Sequence, residues 1–239
     1  MTLELPELCY MCPACGNPYY GSGIGSYSVF EVTTYSDGFV DPGFPPRLWM
    51  TKCPRCGSIF AKEHLFQLPY VKKWKNWAAY LDDCQRASEK EKERELLYGS
   101  VDCTVKAGDS AIEFLEKAIE QGLYFPVTVS DAKREELRFL LHKTLWWEYN
   151  QNRKEVDDET YATFCQKMIE ILAATNDSCE KELILAELYR NIGNWEESLA
   201  WLKRAPLAEK TKPFLASIGK ALEARNTATV VVRKCGARL

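Results

Sequence analysis

The spacing of apolar residues along the chain changes character once, near residue 70. Up to that point, short runs of Tyr, Val, Phe and Thr alternate with clusters of Gly, Pro and Cys, the pattern of short strands joined by turns. Residues 27–35 read as a strand entering a turn at Asp37-Gly38, and 47–52 and 58–62 read as further short strands. Beyond residue 70, Leu, Ala, Glu and Lys dominate, and apolar positions recur every three or four residues, the period of a helix.

The helical half is punctuated by start and stop signals. Residues 71–98 open with Trp74, Trp77 and Tyr80 and close in the mixed-charge run 89–95, which reads as a linking helix with a solvated face. Ser110-Ala-Ile-Glu113 is a capping box, after which Ile112, Leu115 and Ile119 share one face and Gly122 ends the helix. A second helix is expected over 130–150, with Leu137, Leu140, Leu141, Thr144 and Leu145 inward. A third carries Tyr161, Phe164, Cys165, Met168, Ile169 and Leu172. Asp177 and Glu180 signal a fourth, ahead of Leu185, Leu188 and Tyr189. Asn194 and Glu197 open a fifth, which Pro206 closes.

Successive amphipathic helices joined by short turns are what an α-hairpin solenoid requires, because one hairpin cannot bury its apolar face alone. In 179–205, Ala186, Tyr189, Gly193, Trp195, Ser198, Leu202 and Ala205 fall at the small, aromatic, glycine, aromatic, small, large and small positions of a tetratricopeptide repeat. A generic helical bundle is the competing arrangement. In Trp146-Trp147, adjacent helical residues point about 100° apart. Either one Trp serves a partner surface or helices pack on both sides.

These patterns predict an α+β protein: a zinc-ribbon domain over 1–70, a linker helix and loop over 71–108, a tetratricopeptide-like helical domain over 109–225 and a C-terminal tail over 226–239. The 239 residues are 46% hydrophobic, enough to bury a core. With 31 basic and 34 acidic side chains, the net charge of −3 offers no general attraction to nucleic acid or anionic lipid. The acidic start of the chain lacks the pattern of a secretory signal, and no apolar run approaches the length of a membrane span. A cytoplasmic location is expected. In that reducing setting the 10 cysteines point to metal ligation for the paired ones and buried thiols for Cys165 and Cys179.

The strongest chemical signal is the pair Cys12-Pro-Ala-Cys15-Gly16 and Cys53-Pro-Arg-Cys56-Gly57. Zinc favours four soft ligands in a tetrahedron, and two Cys-x-x-Cys turns on a β-hairpin supply them. Proline restricts each turn, and glycine accepts the conformation that aims amides at sulfur. The 37 residues between Cys15 and Cys53 exceed a minimal ribbon, and the Asp37-Gly38 turn and Phe44-Pro45-Pro46 are expected to occupy an extended hairpin. Cys9 also stands at ligand spacing from Cys12, but the pair lacks the matching Pro and Gly, so Cys9 is read as a spare. Four thiolates leave no open coordination position, which makes the expected role structural: one zinc ion per chain on Cys12, Cys15, Cys53 and Cys56. Redox-active thiols and unrelated cysteines are the competing readings.

Candidate catalytic features are sparse. His64 and His142 are the only histidines and sit in different segments, so both are read as satisfied structural residues. Gly21-Ser-Gly-Ile-Gly25 follows a cysteine turn and precedes a strand, where a phosphate loop would open a helix. It is read as a hairpin segment. No Walker motif, His-Glu-x-x-His helix or nucleophile elbow is present.

Together the two cysteine motifs, Tyr35-Ser-Asp-Gly38, Leu137-Arg138 and Trp146-Trp147-Glu-Tyr-Asn150 resemble a family of uncharacterised bacterial proteins. The resemblance implies an N-terminal zinc ribbon with paired Cys-Pro-x-Cys-Gly knuckles joined to C-terminal tetratricopeptide-like helices, and no particular reaction or substrate. The functional expectation is a non-catalytic adaptor that binds a protein or peptide partner. A nucleic-acid-binding ribbon is the first alternative. Arg47, Lys52, Arg55 and Lys62 against six acidic residues in 1–70 disfavour it. A thiol redox enzyme using Cys12 and Cys15 is the second.

Overall fold

The computed structural model describes residues 2–27, 31–41, 49–61, 66–67, 110–174 and 180–236. In chain order these form β1 (Thr2–Met11), β2 (Pro18–Tyr27), β3 (Glu31–Tyr35), β4 (Val40–Asp41), β5 (Met50–Lys52), β6 (Ile59–Ala61) and β7 (Phe66–Gln67). Then come α1 (Ala111–Gln121), α2 (Asp131–Gln151), α3 (Asp158–Ala174), α4 (Lys181–Asn191), α5 (Trp195–Arg204), α6 (Lys212–Glu223) and β8 (Val231–Gly236). Small antiparallel sheets followed by helices make the fold α+β. The linker helix and loop expected over 71–108, along with His64, Asp177 and Cys179, lie outside the described residues. Among the described residues no helix is long and apolar enough to cross a membrane.

The chain divides into two compact units. One draws on Met1–Ser28, Pro45–Ser110 and Lys117–Leu137, the other on Val29–Phe44, Ala111–Glu116 and Arg138–Leu239. In the first, β1 pairs with β2 from Thr2↔Tyr27 to Met11↔Pro18, and β7 joins the other edge of β1. The glycines at 21–25 lie inside β2, so this stretch is a strand with ladder irregularities opposite it and not a phosphate loop. A separate hairpin pairs β5 with β6 through Met50↔Ala61 and Lys52↔Ile59. Met50, Ile59, Phe60 and Ala61 are buried, as expected of a short strand pair with few polar side chains.

In the second unit, the Asp37-Gly38 turn does not belong to a hairpin spanning the two cysteine motifs. It closes its own hairpin, β3 with β4, and β8 pairs along the other side of β3 from Glu31↔Gly236 to Tyr35↔Val231. Gly38 takes φ 81°, Gly38 N donates to Tyr35 O, and Phe39 N donates to Asp37 Oδ1. The tip is buried among helices: Trp147 Nε1 donates to Asp37 O at 3.0 Å, and Asn150 Nδ2 donates to Asp37 Oδ2 at 2.7 Å. Burial of Asp37 is tolerated because its carbonyl and both carboxylate oxygens find partners. β8 lies in the stretch predicted as a tail, where Val230, Val231 and Val232 already carried a strand signal.

The helices follow their apolar spacing. In α2, Leu137, Leu141, Thr144, Leu145, Trp146 and Tyr149 are buried, while Leu140 is half-buried. All six residues expected inward on α3 are buried, and Asp157 Oδ1 caps that helix by accepting from Thr160 N at 2.8 Å. Trp146 is fully buried, and Trp147 packs on Phe39 with Lys143 over its ring at 5.0 Å. Helices and hairpin therefore cover both tryptophans. His142 stacks on Phe164 and bonds Arg138 O through Nδ1 at 2.8 Å, a structural role.

The α4 and α5 helices fold back on each other at Gly193, whose φ of 77° reverses the chain. Asn194 caps α5 by accepting from Glu197 N, and Ala186 and Ser198 are both fully buried at the close approach. Ser198 Oγ donates to Ala186 O at 2.6 Å. A further helix that the sequence signals did not mark, α6, has Pro213 in its first turn and packs Ile218, Phe214, Leu215 and Leu222 against Leu183, Leu202 and Ala205. α4 is buried nearly all round, including the ion pair of Glu187 with Arg190.

Candidate metal centre

Each Cys-x-x-Cys turn is the loop of its own hairpin. The first joins β1 to β2, between the paired residues Met11 and Pro18; the second joins β5 to β6, between Lys52 and Ile59. The two loops repeat the same backbone bonds. Cys12 N donates to Asn17 O and Gly16 N to Cys12 O, both at 2.9 Å; Cys53 N donates to Ser58 O at 2.9 Å and Gly57 N to Cys53 O at 3.0 Å. Gly16 and Gly57 take φ of 69° and 76°, a region an L side chain enters at a cost of about 1–2 kcal/mol. The matched glycines of the sequence are thus explained by one loop conformation used twice.

These loops bring four sulfurs together. Cys12 Sγ lies 3.7 Å from Cys56 Sγ and Cys15 Sγ lies 3.8 Å from Cys53 Sγ, and all four atoms fall within 4.8 Å of one another. A tetrahedron with metal–sulfur bonds of about 2.3 Å has edges of about 3.8 Å, so the spacing suits one ion bound by four thiolates. The sulfurs are too far apart for disulfides, and Cys12, Cys15, Cys53 and Cys56 are all free. Four cysteines therefore lie close enough to bind a metal ion. Cys9 sits in β1 opposite Tyr20, three residues before the first loop.

The donor set is half buried. Cys12 and Cys53 are 1% exposed, whereas Cys15 and Cys56 face solvent. Burial pushes the Cys12 thiol up to about 12 and raises Cys53 as well, while the Ser58 hydroxyl, 3.3 Å from Cys56 Sγ, leads the shift of Cys56 down to about 6. A bound dication reverses the burial effect, since a coordinating thiol is deprotonated outright. Cys165, by contrast, is buried in α3 beside Tyr161, and burial pushes its thiol up to about 12, which makes it inert.

Two groups that sequence reasoning missed stand beside the centre. Ser58 is one; the other is Tyr124, in the turn after α1, whose amide donates to Ile59 O at 2.7 Å and whose hydroxyl donates to Pro13 O at 3.3 Å. The helix-ending signal at Gly122, which takes φ 74°, located the turn but not what it touches. The cysteine cluster and the order of a small β region before helices agree with the family resemblance in outline; in comparison with known proteins, no family model, curated protein or solved structure matches the chain.

Proposed function

We propose that this protein is a zinc-stabilised, non-catalytic module that binds another protein or peptide. The four sulfurs at tetrahedral spacing on paired knuckle loops carry the first half of that reading. Zinc suits four thiolates, keeps no redox chemistry of its own and, with the shell complete, has no position left for water or substrate. The metal would supply folding energy by tying together two hairpins that belong to separate sheets.

The partner-binding half rests on the helices. The α4–α5 pair has the buried small residues and the left-handed glycine of a tetratricopeptide-like hairpin, and Leu199 and Leu207 stand exposed on α5 and just after it. Exposed apolar side chains beside a helical hairpin suit a peptide or helix partner. A nucleic-acid partner gains no support from the balance of charge.

The test has two arms. Metal analysis of the purified chain should return one zinc per molecule, and a folded, metal-free protein would end the zinc reading. Immobilised chain should retain a reproducible partner from native lysate that Leu199→Glu with Leu207→Glu releases; equal recovery on both would move the surface elsewhere, and no partner at all would count against an adaptor.

A further inference from the structure

The two hairpins that carry the cysteines belong to separate sheets, β1 in one and β5 with β6 in another. The backbone bonds within each knuckle stay inside it, from Cys12 to Asn17 and from Cys53 to Ser58. A metal on the four sulfurs would join the two halves, but its hold depends on how readily they part. Any group bonded to both knuckles raises the cost of that separation.

Tyr124 is bonded to the first knuckle and to the hairpin that carries the second. Gly122 at φ 74° turns the chain out of α1, and Leu123, 9% exposed, anchors the turn in the core. Tyr124 N then donates to Ile59 O at 2.7 Å, at the start of β6, and the side chain extends until its hydroxyl reaches Pro13 O at 3.3 Å, between Cys12 and Cys15. One residue thus spans from the strand that follows Cys56 to the loop that holds Cys15. Tyr124 also lines a cleft of about 470 Å³ together with Lys52, Cys56, Ser58 and Gly122, so it and the exposed Cys56 share one solvent-facing hollow.

The geometry points to Tyr124 as a clasp on the metal centre: a positioning residue that holds the Cys12–Cys15 loop against the Cys53–Cys56 hairpin and slows loss of the metal. This rests on the zinc reading above and adds a residue outside the ligand set. The backbone bond aligns the turn with β6. The hydroxyl bond closes the span to the first knuckle. Separation of the hairpins, needed before a second or third thiolate can leave the ion, must break the hydroxyl bond or tear the turn from β6. The same coupling runs in reverse: metal binding should hold the 122–124 turn in place and protect the Tyr124 amide from exchange with solvent.

The experiment uses the full chain loaded with one zinc ion and follows transfer of zinc to an excess of a chromogenic chelator. Tyr124→Phe removes the hydroxyl bond alone, and release is expected to quicken roughly two- to fivefold, the scale of one exposed neutral hydrogen bond. Tyr124→Ala should release faster still. The cobalt-loaded forms of wild type and Tyr124→Phe should show the same tetrathiolate absorption, and their helices should melt at the same temperature, which separates a clasp from general destabilisation. Release from Tyr124→Phe at the wild-type rate would overturn the proposal whatever Tyr124→Ala does. Hydrogen exchange provides a second check: Tyr124 amide protection that survives zinc removal would also overturn it. A wild-type chain that binds no zinc would sink the metal reading itself and the clasp with it, whereas a zinc-binding chain with an indifferent Tyr124→Phe sinks the clasp alone.

Discussion

Asn150 donates to Asp37 Oδ2 at 2.7 Å, tying the last turn of α2 to the tip of the β3–β4 hairpin. Asn150 also accepts from Tyr161 OH, so hairpin, α2 and α3 share one polar chain. Asp37 is 2% exposed, and burial pushes its carboxyl from 3.8 up to about 6, against the pull of the bonds from Phe39 N and Asn150. The folded state therefore holds this proton more tightly than the unfolded chain does. Its contribution is fully favourable below about pH 4 and declines as pH rises to about 6, a loss of about 3 kcal/mol for a shift of some two units. Asp37→Asn removes the titration. Urea unfolding of both proteins from pH 4 to 7 should show the variant gaining on wild type across that window, and parallel curves would exclude the effect.

Cys53→Ser and Cys15→Ser should both lower bound metal, with the greater structural loss at Cys53. Its sulfur is buried and its loop closes the β5–β6 hairpin, whereas Cys15 faces solvent. Exchange protection at the β5–β6 amides should collapse in Cys53→Ser, while the far-ultraviolet helical signal stays near the wild-type value. Chelation of the native protein should reproduce the Cys53→Ser pattern; hairpin protection that survives chelation would mean that the metal does not hold this region.

Glu187 and Arg190 form an ion pair with both side chains fully buried. Arg190 also donates to the carbonyls of Asn226 and Ala228, and Ser36 Oγ donates to Glu187 Oε1, so the pair binds α4 to the hairpin tip and to the run into β8. Removing one charge strands the other. Arg190→Leu is expected to cost about 3–5 kcal/mol in urea unfolding. Adding Glu187→Leu should cost less than the sum of the single changes, by more than about 1 kcal/mol. Strict additivity would show that the two charges do not stabilise each other.

Two glycines in the helical region should respond in opposite directions. Gly193 holds φ 77°, and an added Cβ would meet only Trp195 at an ordinary 3.8 Å, so Gly193→Ala costs backbone strain alone, about 1–2 kcal/mol. Gly219 lies inside α6, with Leu202 at 3.9 Å from the added carbon. Gly219→Ala should stabilise by about 0.4–1 kcal/mol, through reduced freedom of the unfolded chain. Thermal unfolding of the two variants distinguishes these signs.

The cysteine cluster was legible from sequence because one loop conformation imposes the same Pro and Gly on both motifs, and periodicity placed the inward face of α3 residue by residue. The Asp37-Gly38 turn was also legible as a turn. Its location was not, since local chemistry fixes the bend at Gly38 but not that β8 and α2 receive the hairpin. For the same reason the pattern alone left open whether one of Trp146 and Trp147 faces a partner or both are covered, when the Trp147 indole N–H is used by Asp37 O. α6 lacks a capping box, since Phe214 stands three residues after Thr211 where Glu or Gln would be, although Phe214, Leu215, Ile218 and Leu222 carry helical spacing. Tyr124 had no signal at all: both its partners are backbone carbonyls, which every sequence supplies.

The pairing of β3 with β8 sets an order of assembly during synthesis. Thr33 finds its ladder partner in Lys234, so β3 leaves the ribosome long before the strand that completes its sheet has been made. Through that interval β3 keeps one unpaired edge, open to other chains. Both knuckle hairpins, in contrast, are finished once Ala61 has emerged. The nascent chain therefore has its four thiols in place early and closes the β3–β8 sheet last, a distant pairing of the kind that slows folding.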